Sequence, residues 1–178
     1  MRKHKNIIIF LIKFFVTYFI LVSVYNFYLH KSQQKEGSFK TSSITKAVAD
    51  QTIEVLTFFD YNVKAIQNDK ELSIQLIVED SYTARVIEGC NSISIIILFI
   101  AFVVAFSGSL QATLVYVLLG SLFIYIINVL RIAFLTVMIY KYPHKVEILH
   151  DLVFPAIIYG TVFLLWIIWV NKFSNFKK

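Results

Sequence analysis

The sequence contains a single cysteine, Cys90, at the point where a polar segment enters an apolar run. Arg131 and His150 lie at comparable boundaries of later apolar runs. A thiolate is a strong nucleophile, an imidazole takes and returns a proton near neutral pH, and a guanidinium stabilises negative charge on a thiolate or an oxyanion. Together these three residue types could carry out nucleophilic acyl transfer.

Each of the three residues also has an ordinary structural interpretation. A cysteine beside an apolar helix often only fills space, an interfacial arginine often reaches the lipid headgroups, and a loop histidine is usually solvated. One cysteine has no partner for an internal disulfide, so its thiol stays free. The catalytic interpretation therefore depends on whether the surrounding elements bring the three residues to one place.

Those elements are apolar enough to need a membrane. The 178-residue chain is 58% hydrophobic, which is more than a soluble domain of this size can bury. A helix needs about 20 residues to cross a hydrocarbon core of about 30 Å. Four apolar runs qualify, the second of them near the lower length limit: residues 7–29, 91–106, 110–129 and 152–170. We predict an all-α integral membrane protein with about four transmembrane helices.

The basic residues indicate the orientation of these helices. The formal net charge of +6 is spread along the flanks of the apolar runs, which favours membrane topology over nucleic-acid binding. Basic residues precede the first run and follow the last: Arg2, Lys3, Lys5, Lys172, Lys177 and Lys178. Both ends are therefore predicted to be cytoplasmic. The first run lacks a small-residue cleavage site, so we expect it to remain as an anchor.

The polar segment between the first two runs has its own predicted structure. Ser42 or Ser43 can cap a helix whose apolar positions are Ile44, Val48, Val55 and Phe59. Alternating apolar residues at 63–65, 72–76 and 84–86 predict strands, with a hairpin turn at 68–70. The predicted organisation is an anchor helix at 1–29, an extracytoplasmic helix-plus-β-meander insertion at 30–89, and a catalytic three-helix transmembrane region with a short cytoplasmic tail at 90–178.

Helix geometry then places the three residues at one membrane level. A helix that returns outward from Leu110 rises about 1.5 Å per residue and reaches the outer surface near residues 128–131. The sequence leaves open whether residues 132–140 extend this helix, tilt it or pack under the insertion; the Pro143 region ends it. Cys90, Arg131 and His150 then mark the outer ends of spans two, three and four. Cys90 is also expected at the amino end of a helix, where the dipole stabilises a thiolate.

With these residues in place, the sequence resembles the exosortase/archaeosortase family of membrane cysteine transpeptidases. The shared motifs are Cys90-Asn91-Ser92, the Asn-x-x-Arg-Ile segment at 128–132, and His150 with Gly160 further on. The resemblance covers about residues 41–170, and the length suggests the short exosortase F type. Many members have Ala-Cys-Ser-Gly where this chain has Gly89-Cys90-Asn91-Ser92, so the resemblance transfers the order of Cys, Arg and His rather than fine specificity.

The resemblance implies a cysteine transpeptidase for secreted proteins that carry a carboxy-terminal sorting signal with a transmembrane tail. It implies that Cys90 forms a thioester, His150 shuttles the proton and Arg131 stabilises the thiolate or the oxyanion. Asn128 and Asn91 are candidate substrate-binding or supporting residues, although Asn128 fits interhelical packing equally well. The expected partners are the sorting-signal substrates and membrane lipids, with no nucleic acid, and the oligomeric state is open.

No cofactor or metal is expected, because His144 and His150 lack a third spaced ligand. A second hypothesis comes from a different class: a non-catalytic membrane assembly or secretion factor whose extracytoplasmic segment binds a partner. In that case changes at Leu72, Ile74 or Leu76 would matter more than a change at Cys90.

Overall fold

The computed structural model describes residues 2–33, 39–106 and 108–174 and is mostly helical. Helix α1 spans Arg2–Ser32 and α2 spans Ser43–Phe58; the strands are β1 (Val63–Gln67), β2 (Ser73–Val78) and β3 (Ser81–Ile87). A 3₁₀ turn, Glu88–Cys90, leads to α3 (Ile93–Ala105) and α4 (Leu110–Lys141). A second 3₁₀ turn (Pro143–Lys145), α5 (Val146–Ile148) and a π-helical turn (Leu149–Val153) precede α6 (Phe154–Lys172).

Three helical segments of the described chain are long and apolar enough to cross a membrane: Lys5–Ser32, Leu110–Lys141 and Pro143–Lys172. They correspond to the first, third and fourth predicted spans. The second differs, because α3 has only 13 residues and rises about 20 Å, which is less than a hydrocarbon core of about 30 Å. The four-span arrangement with both ends in the cytoplasm therefore stays a prediction.

Helix α1 packs antiparallel to α3 along its length. Near the end of α3, the Phe106 ring centroid lies 4.5 Å from that of Phe10. Before its start, Asn91 Nδ2 donates to the Tyr25 hydroxyl at 2.8 Å. Large apolar side chains on the rest of α1 are exposed, as suits a lipid-facing surface. The first helix is thus part of the bundle as well as an apolar span.

The bundle core lies where α3, α4 and α6 meet. Its buried residues are Phe99, Val103, Ile124, Ile158, Val162 and Trp169. The close approach of α3 to α4 requires a glycine, since a Cβ on Gly120 would lie 2.4 Å from Phe99 Cζ. Tyr116 Oη donates to the Leu165 carbonyl at 2.7 Å, which ties α4 to α6.

Helix α2 and the sheet form a cap whose elements follow the sequence pattern. Ser42 caps α2 by accepting from Thr45 N, and the strands pair antiparallel in the order β1-β2-β3. The predicted hairpin turn is confirmed, with Asn68 N donating to the Ser73 carbonyl at 3.0 Å. The prediction that Phe59 belongs to the buried stripe of α2 is wrong: the helix ends at Phe58, and Phe59 is 63% exposed while Leu56 is buried.

Helix α4 continues unbroken to Lys141, which decides what the sequence left open for residues 132–140. Its carboxy-terminal part packs under the cap. Val129 and Ile132 of α4 join a buried cluster with the cap residues Val48, Ala49, Ile74, Leu76 and Val86. The cap therefore packs directly against the helix that contains Asn128 and Arg131.

Candidate active site

Cys90 is the last residue of the 3₁₀ turn that follows β3. Its side chain is partly buried and packs against the edge of the cap cluster. Ser92 then adopts φ 64°, a left-handed conformation that is uncommon for a residue with a side chain, and α3 begins at Ile93. Cys90 thus precedes α3 by three residues instead of beginning it, and the helix dipole acts on it weakly because its effect falls off within the first turn.

The backbone of the cysteine loop is tied to α4 by Asn128. The Asn128 side chain is 1% exposed, and its Nδ2 donates to the Cys90 carbonyl at 2.7 Å. Sequence reasoning left open whether Asn128 is a substrate-binding or supporting residue of the site or packs between helices. In the structure it holds the main chain of the residue that carries the thiol.

We expect Asn128→Ala to lower both the stability of the protein and the reactivity of the thiol. The substitution leaves the Cys90 carbonyl without this donor, at a cost of about 1–3 kcal/mol in the free energy of unfolding. Thr136→Val is the matched control, because the buried Thr136 hydroxyl donates to Ile132 O within α4 itself. Thermal unfolding in detergent compares the two, and equal melting temperatures for Asn128→Ala and the unaltered protein would contradict the role given to this bond.

Arg131 lies three residues beyond Asn128 on α4 and interacts electrostatically with Cys90 and Tyr159. Its Nε is buried and has no hydrogen-bond partner within the described chain. Across the same residues, no aspartate or glutamate forms an ion pair with it. A guanidinium in apolar surroundings needs a negative charge nearby, and a Cys90 thiolate or an oxyanion on a substrate could supply it.

His150 lies on the π-helical turn before α6, a kind of irregularity that is frequent at functional sites. Its Nδ1 is 2.8 Å from Asp151 Oδ1, and the imidazole is 63% exposed. A proton on Nδ1 that is directed to Asp151 leaves Nε2 as a proton acceptor. Within the described residues His150 makes no hydrogen bond to Cys90 or Arg131, so the structure does not bring all three candidates into contact.

The register of α4 and α6 does place Arg131 and His150 at similar heights. The bond from Tyr116 to Leu165 fixes the register. Fifteen residues lead along α4 from Tyr116 to Arg131, and fifteen lead back from Leu165 to His150, a rise of about 22 Å in each case for helical chain. The separation between the His150 imidazole and the Arg131 guanidinium is therefore mainly lateral.

Sequence reasoning missed a second guanidinium near the thiol. Arg85 on β3 interacts electrostatically with Cys90, while its Nη1 lies 2.7 Å and 2.9 Å from the two carboxylate oxygens of Glu71. The available signal was the alternation of β3, which runs directly into the cysteine turn.

Asn91, a candidate substrate-binding or supporting residue, is 1% exposed and faces away from solvent. Its amide contacts Tyr25, Thr45 and Glu88, which are further residues that the sequence did not single out. For metal binding, no group of three or more histidine, cysteine or acidic residues in the described ranges is placed to hold an ion.

The chain has long apolar helices and an α+β cap, and its one thiol lies in the turn that joins the cap to α3. These features define a membrane protein with a candidate thiol site next to its cap. The sequence model of the transmembrane exosortase family matches residues 7–170. The chain belongs to this family, and membership implies, in general terms, a membrane cysteine transpeptidase. The match includes α1, in keeping with its packing on α3. Comparison with curated proteins and with solved structures found no match.

Proposed function

We propose that this protein is a transpeptidase that cleaves carboxy-terminal sorting signals of secreted proteins at the extracytoplasmic face of the bacterial inner membrane and transfers the cleaved protein to an acceptor. The observation that carries the proposal is the environment of the single thiol. Cys90 interacts electrostatically with Arg131, whose buried Nε has no partner among the described residues. A nearby cation is available to stabilise negative charge on sulfur or on a substrate oxyanion during the reaction.

The proposed reaction has two steps, acylation of the Cys90 thiol and transfer of the acyl group to an acceptor. The proton of the Cys90 thiol passes to His150 Nε2, Cys90 Sγ attacks the scissile carbonyl carbon, and Arg131 stabilises the resulting oxyanion. Collapse breaks the C–N bond, and the departing amine takes a proton from His150, which leaves an acyl group on sulfur as a thioester. An acceptor nucleophile then attacks the thioester, loses its proton to His150 and releases the Cys90 thiolate.

His150 takes part in this scheme only once it reaches the scissile bond. The imidazole is exposed and lies at about the height of Arg131, so a lateral approach along with the substrate would bring Nε2 to the leaving nitrogen. The transmembrane tail of the substrate would arrive through the lipid, where α1 and α4 expose large apolar side chains. The proposed partners are thus tail-bearing secreted proteins and the surrounding lipids.

The experiment that tests the proposal measures the alkylation rate of Cys90 against pH with a membrane-impermeant maleimide. Because the chain has one cysteine, the reagent reports this site alone. We expect half-maximal rate well below the value of about pH 8.5 for a free cysteine. Arg131→Gln should raise that midpoint and slow alkylation about tenfold at pH 7, and Arg131→Lys should lie between Arg131→Gln and the unaltered protein.

Lys64→Gln is the matched control for the loss of one positive charge, because Lys64 is an exposed cap residue paired with Asp80 at 2.8 Å. It should leave the alkylation profile unchanged. A midpoint near that of a free cysteine, insensitive to Arg131→Gln, would contradict the assigned roles. Labelling only after the membrane is dissolved would contradict the outward-facing site.

A further inference from the structure

A carboxylate that accepts several hydrogen bonds lies two residues before the thiol. Glu88 Oε1 accepts from Ser42 N at 2.7 Å. Its Oε2 accepts from Ser42 Oγ at 2.8 Å, Thr45 Oγ1 at 2.5 Å and Asn91 Nδ2 at 3.2 Å. Ser42, Thr45 and Asn91 are at most 1% exposed. An ionised carboxylate is acceptor-only, so it matches this set of donors as a neutral side chain would not.

These contacts join four elements around the cysteine. Besides Glu88, Asn91 Nδ2 meets Tyr25 Oη of α1 at 2.8 Å and Thr45 Oγ1 of α2 at 3.1 Å. The Asn91 Oδ1 accepts from Ile93 N at the start of α3 at 3.1 Å. Cys90 lies between Glu88 and Asn91, so the chain is held on both sides of the thiol, and Asn128 holds its carbonyl from α4.

The ionisation of Glu88 agrees with this arrangement. Burial raises the pKa of Glu88, but hydrogen bonds from Thr45, Ser42 and Gln33 together lower it by more. The pKa therefore lies below the usual value for glutamate. A depressed carboxyl pKa contributes stability that is present above the unfolded pKa and is lost as the pH falls through the folded one. At neutral pH the carboxylate and its hydrogen bonds are therefore complete.

We propose that Glu88 is a positioning residue for Cys90: by fastening the cysteine turn to α2 and, through Asn91, to α1, it fixes the sulfur relative to the Arg131 guanidinium. The inference rests on the proposed function, because the position of the sulfur matters only if the thiol is the nucleophile. A purely structural Glu88 would stabilise the fold without affecting the chemistry of the thiol in molecules that are folded.

Glu88→Gln separates these two roles. It replaces one carboxylate oxygen by an NH₂ group, which cannot accept from the donors that now converge on Glu88. We expect alkylation of Cys90, per folded molecule, to become about tenfold slower at pH 7, with its midpoint displaced toward that of a free cysteine. The measurement uses the full-length protein in detergent, with the folded fraction taken from thermal unfolding and the rate from maleimide alkylation across pH.

Glu79→Gln is the matched control. Glu79 lies at the exposed turn between β2 and β3 and accepts from Asn62 N at 3.0 Å, a bond that a glutamine oxygen can also accept. It should reproduce the unaltered alkylation profile. Thr45→Val removes one donor to Glu88 and one acceptor for Asn91 Nδ2, while the Glu88 carboxylate itself remains. It should displace the profile in the same direction by a smaller amount, so it decides the question if Glu88→Gln does not fold.

The outcomes distinguish this inference from the proposed function. In one outcome, the unaltered protein has a low alkylation midpoint that depends on Arg131, and Glu88→Gln and Thr45→Val have the same midpoint. That outcome would overturn the positioning role alone. Glu88 would then be a structural residue, whatever the loss in melting temperature. An unaltered protein with the profile of a free cysteine would overturn the proposed function and the positioning role with it.

Discussion

Cys90→Ala is expected to abolish the processing of proteins with carboxy-terminal transmembrane tails, while the altered protein accumulates normally in the membrane. The substitution removes the only thiol of the chain, and nothing else in the proposed mechanism can form the thioester. Loss of a covalent nucleophile costs on the order of 10⁴-fold in rate or more. Stability should change little, because the side chain only touches the edge of the cap cluster.

The measurement is the mass of tail-bearing secreted proteins in cells that produce each variant. Cys90→Ser serves as the closest isosteric change, and it should also be inactive, since a hydroxyl lacks the nucleophilicity of a thiolate. Normal processing by Cys90→Ala would rule out the transpeptidase and favour the assembly-factor hypothesis. Processing should then depend on Leu72, the partly exposed member of the cap residues assigned to partner binding.

Gly120→Leu is expected to prevent the stable association of α3 with α4. Even a Cβ at this position would lie 2.4 Å from Phe99 Cζ and 2.7 Å from its Cε1. Phe99 is 0% exposed and lies in the bundle core, so its ring has no free space to move into. Overpacking of this kind costs about 1–3 kcal/mol for small insertions, and a leucine should reach or exceed the upper value.

Gly160 provides the matched control for this substitution. A Cβ at Gly160 would meet nothing within 4 Å, and the residue also lies inside a long apolar helix. Gly160→Ala should be neutral or stabilising by up to about 1 kcal/mol, owing to the higher helix propensity of alanine. Thermal unfolding in detergent tests both positions. A melting temperature of Gly120→Leu equal to that of the unaltered protein would contradict the close packing of the two helices.

The parts of the fold that the sequence predicted are those set by local pattern. The strands of the cap follow from period-two alternation, and the start of α2 follows from a serine that can cap it. The path of α4 beyond Arg131 was undecided because it depends on contacts of Val129 and Ile132 with the distant cap. Local pattern carries no information about such partners.

The second apolar run was taken as longer than α3 for a related reason. Asn91 and Ser92 were counted with the span, but in the structure the Asn91 side chain contacts α1 and α2, and Ser92 has a left-handed backbone conformation before α3 begins. The site shows the same limit. Topology alone suggested that Cys90 and Arg131 are near each other. The contacts of Ser42 with Glu88 could not be predicted in this way, because they join residues 46 positions apart and no local sequence pattern indicates them.

The shortness of α3 has a consequence for which bonds the enzyme could cut. The carboxy-terminal end of α3 is level with Phe10, and the turn before its amino-terminal end is level with Tyr25, so α1 continues for about 10 Å beyond the level of Asn91. The sulfur is therefore recessed below the tops of its neighbours, and hydrophobic mismatch at α3 would thin the adjoining lipid. Under the proposed function, the number of residues between the scissile bond of a substrate and the transmembrane helix that follows it sets the depth of that bond in the membrane. The enzyme would then select substrates by the length of this spacing as well as by their sequence.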